Sequence, residues 1–151
     1  MRGGSVRCFR ACAAKVVLMI EIELIRTGAG TFEVSNGRGA VIEVGGTASG
    51  LFTPIEMLLA AVAGCGALDV EHATVRHASP EHFAVVVQAE KVAGENLLAA
   101  IDVRFDVQFP DGDEGERARA ILPRAVVVSH EKECTVSRTI EAGTPVSMSV
   151  A

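Results

Sequence analysis

The stretch Thr53-Pro-Ile-Glu-Met-Leu-Leu-Ala-Ala-Val-Ala-Gly-Cys65-Gly-Ala-Leu-Asp69 decides how this chain must fold. Thr53, Pro54 and Glu56 make a capping-box pattern: a hydroxyl at the N-cap, a proline at the first helical position and a carboxylate at the third that reaches back. Good helix formers then continue to about residue 76, and the first half of the run is apolar on every face. A helix of that kind is enclosed by protein rather than laid on a surface. Its apolar part is too short, and too soon followed by Asp69, Glu71 and His72, to cross a bilayer. A second copy of the chain is the natural cover.

Upstream of the helix, alternation at 20–24 and again at 32–35 predicts two strands, each with one buried face. Asn36-Gly37 between 32–35 and a third strand at 40–44 is a hairpin signal, because both central positions of a type I′ turn need positive φ. Gly45-Gly-Thr-Ala-Ser-Gly50 reads as a mobile connection, and it lacks the Gly-Lys-Ser/Thr ending of a phosphate loop. Downstream, residues 82–109 alternate around the turn residues Ala93-Gly-Glu-Asn96 and read as a long antiparallel hairpin. A helix with acids in its first turn follows, which Pro123 is expected to kink or split. A short helix at 134–141 and a closing strand at 144–150 complete an α+β domain.

The chain has 151 residues, enough for one domain and a sizeable core. Its apolar share is 49% with six Phe and no Trp or Tyr, so Ala, Val, Ile and Leu must fill that core. A net charge of -5 without a basic stripe argues against nucleic acid, since phosphate binding rests on clustered Lys and Arg. Residues 1–18 carry positive charge, but Lys15 breaks the apolar run and Glu21 and Glu23 follow, so no signal-peptide core forms. They are expected to be a disordered extension before a domain at 19–151, which leaves Cys8 and Cys12 without a role. Four cysteines without a secretory signal read as reduced thiols, and their spacing does not suggest zinc.

Two of those cysteines sit in contrasting surroundings. Cys65 lies in the apolar helix, whereas Cys134 closes the polar stretch Ser129-His-Glu-Lys-Glu-Cys134-Thr-Val-Ser137 at the start of the short helix. A dry pocket protects a reactive sulfur, and a helix start favours thiolate, so the pair suits attacker and resolver. Asp69, one turn beyond Cys65, would raise that thiol's pKa, so activation needs a cation from elsewhere. His130 and Arg138 each lie four residues from Cys134 and are candidates to support the site. Both are equally at home as solvated surface residues. His72 lies about 10 Å along the helix from Cys65, too far for contact. His77 and His82 read as loop residues. Gly-x-Ser-x-Gly is absent, so no serine hydrolase arrangement is indicated.

The segment Pro-x-Glu-x-Leu-Leu-x-Ala-x-x-Gly-Cys at 54–65 with Asp69, followed by Glu131-Lys-Glu-Cys-Thr-Val-Ser137, resembles the two cysteine motifs of the OsmC and organic hydroperoxide resistance superfamily. The resemblance runs from about Met19 to the C-terminus. It implies an OsmC-like fold, antiparallel sheets packed around a long buried helix in an intertwined homodimer with sites at the subunit interface. It further implies a cytoplasmic, cysteine-based peroxidase that reduces organic hydroperoxides and is recycled by a thiol or dithiol reductant, with no metal, organic cofactor or membrane required. On that resemblance Cys65 is the attacking cysteine and Cys134 resolves it as a disulfide.

The peroxidase branch has a glutamate directly after the proline and an arginine in an early loop. Here Ile55 follows Pro54, and Glu56 comes one place later, about 180° around the helix from Cys65. Arg26 and Arg38 flank the loop where the arginine is expected. The details look more like the OsmC-like branch whose substrate is not established. A binding or structural dimer, or a redox sensor without turnover, therefore stands beside the peroxidase reading.

Overall fold

A computed structural model describes residues 19–150, so the expected extension at 1–18, with Cys8 and Cys12, lies outside the described residues. Three strands open the chain: β1 (Ile22–Gly28), β2 (Thr31–Asn36) and β3 (Val41–Gly45), paired antiparallel in the order β1-β2-β3. β1 begins and ends later than its alternation suggested, because Ile22 pairs with Asn36 and the register runs to Gly28 opposite Thr31. The connection between β2 and β3 is not a two-residue type I′ turn. Asn36 Oδ1 instead accepts from the Arg38 and Ala40 amides, and the left-handed position is Gly39, with φ 88°. Asn36 thus acts through its side chain, which mimics a backbone turn.

The segment expected to be mobile, residues 45–50, is folded onto itself. Gly45 N–H donates to Phe52 O, Gly46 N–H to Gly30 O, and Ser49 Oγ–H to Gly46 O. These bonds deliver the chain to α1 (Pro54–Thr74). The capping box is present in full: Thr53 N–H donates to Glu56 Oε2 at 2.7 Å, and Glu56 N–H donates to Thr53 Oγ1 at 3.3 Å. The Thr53 backbone N–H and the Thr53 hydroxyl, both donating to Glu56 Oε2, hold the Glu56 carboxyl below its ordinary pKa. The grip on the carboxylate is therefore complete at neutral pH and lost as pH falls through that depressed value.

β4 (His82–Lys91) and β5 (Leu98–Gln108) form the long hairpin, with Val85 opposite Phe105 and Val87 opposite Val103. Phe83, Val85, Val87 and Ala89 turn one half-buried face inward, as alternation required, and Phe83 meets Phe105 edge to face at 6.4 Å. His82 begins β4 rather than lying in a loop, and it stands 3.4 Å from Asp106. α1 packs against β4 and against α2 (Asp113–Val128). Val62, Gly66, Val70 and Thr74 are its buried stripe. The Thr74 hydroxyl is fully buried and donates to Val70 O at 2.9 Å, which satisfies it inside the helix.

α2 starts with Asp113, Glu114 and Glu116 in its first turn, where the helix dipole favours acids. Arg119 fastens it to the end of β5 through bonds to the Phe109 and Pro110 carbonyls, and Phe109, Ala78 and Ala118 close a small core there. Pro123 does not split the helix, which continues to Val128. The departure from α geometry comes later, as a single π-helical turn at Ser129–Glu133. α3 (Thr135–Glu141) follows, with Cys134 as its N-cap.

No strand forms at 144–150, where Val146, Met148 and Val150 are 80–99% exposed. The alternation is present in the sequence, but the segment pairs with no strand among the described residues. The result is a mixed helix and sheet architecture with two antiparallel sheets.

The capping box generates a direct test. Thr53→Ala should lower the unfolding free energy in urea by about 1 kcal/mol, since it removes the acceptor for the Glu56 amide and one donor to the Glu56 carboxylate. An unchanged urea midpoint would show that the box contributes nothing to the helix start.

Candidate active site

Cys65 sits past the middle of α1, one turn before Asp69, and it is half-buried. The π-helical turn lays Ser129 across this part of the helix. Ser129 is 3% exposed, and its Oγ–H donates to Asp69 Oδ2 at 2.8 Å, a contact between residues 60 positions apart. Gly66 permits the approach: a Cβ there would come within 3.2 Å of Phe105 Cζ and 3.9 Å of Ser129 Oγ. The chain then leaves the turn with Cys134 in extended geometry, φ -66° and ψ 99°, and brings its buried sulfur back to α1. The Cys65 and Cys134 sulfurs and an Asp69 carboxylate oxygen lie within 4.8 Å of one another. Both cysteines are free thiols.

The two sulfurs are held differently. Burial pushes the Cys65 thiol up, and the Cys134 sulfur and the Asp69 carboxylate push it the same way, against the Val136 backbone amide. Burial acts on Cys134 as well, but hydrogen bonds outweigh it. Ser137 contributes its hydroxyl at 3.2 Å and its backbone N–H at 3.4 Å, and the Cys65 thiol adds a third. Cys134 therefore lies below the ordinary cysteine value and Cys65 above it. Of the two thiols, Cys134 gives up its proton more readily than Cys65.

The remaining candidates stand apart from the sulfurs. Glu56 is occupied with Thr53 at the start of α1. Arg26, in β1, and Arg38, in the β2–β3 connection, are exposed on a sheet against which no helix of this chain packs extensively. Arg138 Nη1–H donates to the Lys132 carbonyl, and His130 Nε2 lies 3.6 Å from Glu141. His130 does share with Ser129, Cys134 and Ser137 the wall of a cleft of about 240 Å³, closed on its other side by Val103 and Phe105. An apolar groove adjoins it, lined by Ile55, Leu58, Val62, Ile101 and Ile140.

Ser129 and Ser137 were not picked out in the sequence. Ser137 carried a signal, being three residues after an N-cap position and so in place to donate its amide. Ser129 carried none, because its partner is 60 residues away. No helix among the described residues is long and apolar enough to cross a membrane.

The family model described as OsmC-like protein matches residues 46–149. An uncharacterized protein of Mycobacterium tuberculosis is 31% identical over 136 residues, which cover 87% of this chain and 96% of that one. An uncharacterized protein of Mycobacterium bovis matches with the same values, 31% over 136 residues, 87% and 96%. Among solved structures, a hypothetical protein from Aquifex aeolicus superposes with a TM-score of 0.68 at 21% identity, over 85% of this chain and 91% of its own. An OsmC-like protein of unknown function from Vibrio cholerae gives 0.67 at 12% identity, over 83% and 95%. The organic hydroperoxide resistance protein OhrB of Bacillus subtilis gives 0.50 at 16% identity, over 81% and 90%. At these identities the solved structures share the fold, while the family model and the mycobacterial relatives extend the likeness to the sequence. The chain belongs to the OsmC-like protein family.

Proposed function

We propose that this protein reduces organic hydroperoxides with the Cys65/Cys134 dithiol. The observation that carries the reading is the meeting of the two sulfurs within 4.8 Å inside one chain, with Ser137 hydrogen-bonded to Cys134 and lowering its pKa. The Cys65 thiolate attacks the O–O bond, which breaks, and the departing alkoxide takes a proton and leaves as the alcohol. The second oxygen remains on Cys65 as a sulfenic acid. The Cys134 thiolate then attacks that sulfur, the S–S bond forms, and the departing hydroxide takes a proton and leaves as water. A thiol or dithiol reductant returns the pair to the starting state. The apolar groove beside the cleft suits an organic substituent on the peroxide better than hydrogen peroxide itself. A reducing compartment such as the cytoplasm is where this dithiol would persist.

A homodimer belongs to the same reading. Ile22, Leu24, Ile25, Val41 and Ile42 on the three-stranded sheet are 44–61% exposed, and Leu68 on α1 is 69% exposed. A second copy would cover these surfaces, and it could bring an arginine such as Arg26 or Arg38 toward Cys65. Sedimentation at micromolar concentration should therefore give twice the chain mass, and Ile42→Asp should shift it toward the monomer. A wild-type monomer across the whole concentration range would remove the dimer from the proposal.

With Cys8 and Cys12 changed to serine, titration of thiolate absorbance should show two steps, one below the ordinary cysteine value and one above it. Asp69→Asn should bring the upper step down, because it removes a negative charge beside Cys65. A single step at the value of free cysteine would contradict the asymmetry.

The activity is tested by stopped-flow oxidation of the reduced protein with cumene hydroperoxide and with hydrogen peroxide, in a background with Cys8 and Cys12 changed to serine. Fast oxidation that prefers the organic peroxide, is lost in Cys65→Ser and stops at a trappable sulfenic acid in Cys134→Ser is the expected result. Rates no faster than free cysteine would refute it. Ile55, where the peroxidase branch has glutamate, favours a redox sensor as the second reading. Fast oxidation without recycling by any dithiol would select that sensor.

A further inference from the structure

We propose that the reduced chain binds one zinc ion between Cys65 Sγ, Cys134 Sγ and an Asp69 carboxylate oxygen, with a fourth position open to the adjoining cleft. Cysteine spacing along the chain gave no sign of such a site. The fold creates it by setting the π-helical turn and Cys134 against α1.

Three observations carry the inference. The first is the donor geometry. Three potential ligand atoms lie within 4.8 Å of one another, and tetrahedral zinc with bonds of about 2.0–2.3 Å needs its donors roughly 3.5–3.8 Å apart. Small side-chain rotations close the difference. The second is charge. Two sulfurs, which zinc would hold as thiolates, converge with a carboxylate in a half-buried place, and the His–carboxylate contacts among the described residues, His82–Asp106 and His130–Glu141, give Asp69 no cationic partner. A divalent ion that prefers sulfur and tolerates oxygen answers that need. The third is support behind the ligand. The buried Ser129 hydroxyl holds Asp69 Oδ2 at 2.8 Å and so fixes the carboxylate's orientation, as outer partners of metal ligands do. A carboxylate so held retains lone pairs for a metal.

Zinc and the disulfide compete for the same sulfurs. Oxidation by a hydroperoxide takes two electrons from the dithiolate, forms the S–S bond and breaks the O–O bond. Two protons complete the alcohol and water, and the zinc ion leaves for solvent. The release half of the inference rests on the peroxidase reading, whereas the binding half does not.

The test uses the full chain with Cys8 and Cys12 changed to serine, reduced and stripped of metal. Zinc is titrated in competition with a chromophoric chelator, and cobalt(II) is added separately as a spectroscopic probe. One zinc per chain is expected, together with a thiolate-to-cobalt charge-transfer band. Cys65→Ser and Cys134→Ser should each abolish both, and Ser129→Ala should weaken zinc by about tenfold. Wild-type protein oxidised to the disulfide with diamide should bind none, which tests the site without any substitution that threatens folding. No binding to the reduced chain, or binding unchanged in both cysteine variants and in the disulfide form, overturns the metal site. Zinc binding with no reaction toward cumene hydroperoxide removes the peroxidase reading and the release step with it. Fast peroxide reaction without zinc binding does the reverse.

Discussion

The hydrogen bond from Ser129 to Asp69 is the constraint on which the site depends. It joins a buried hydroxyl to a carboxylate across 60 residues, and the hydroxyl would be costly to leave without a partner. To make it, α2 must stop short of its natural continuation and pass through a π-helical turn, which places Ser129 over Gly66 and sends the chain back with Cys134 facing α1. Gly66 lies under that crossing, where an added methyl would stand 3.2 Å from Phe105 Cζ and require the ring to give by a few tenths of an ångström. Two thiols separated by most of the domain's length are thereby set within reach of a bond.

Proximity alone would give a symmetric pair, and the local hydrogen bonds break the symmetry. Cys134 caps α3 and has both the hydroxyl and the amide of Ser137 as partners, while Cys65 has a carboxylate one turn away and only the Val136 amide to oppose its burial. The sulfur inside the apolar helix is therefore the harder of the two to deprotonate. Attack from Cys65 as its thiolate thus needs a positive charge that the described residues of its own chain do not bring to it. The pair is also a strong local concentration of negative charge once both protons are gone, which a partner's arginine or a metal ion would relieve.

The single chain leaves much of its apolar surface uncovered. The three-stranded sheet carries Ile22, Leu24, Val41 and Ile42 in the open, and the last residues alternate without a strand to join. Both features are what one half of an interlocked pair would show. The helix, apolar on every side in its first half, has only Val62, Gly66, Val70 and Thr74 buried among the described residues.

The elements whose information is local were legible in the sequence. The capping box at Thr53, the β4–β5 hairpin, the acids at the start of α2 and the cap at Cys134 each rest on residues within a few positions of one another, so propensity and periodicity suffice. The two cysteine motifs also pointed to the right family. The four-residue connection after Asn36, the continuity of α2 past Pro123 and the missing final strand were not legible, because each is settled by which neighbours the segment finds. Tertiary structure alone decided that Ser129 would hold Asp69, that Arg26 and Arg38 would stay away from the sulfurs of their own chain, and that Cys65 and Cys134 would meet. Sequence spacing fixes the reach of a chain along itself, whereas a contact across 60 or more residues depends on the packing of everything between.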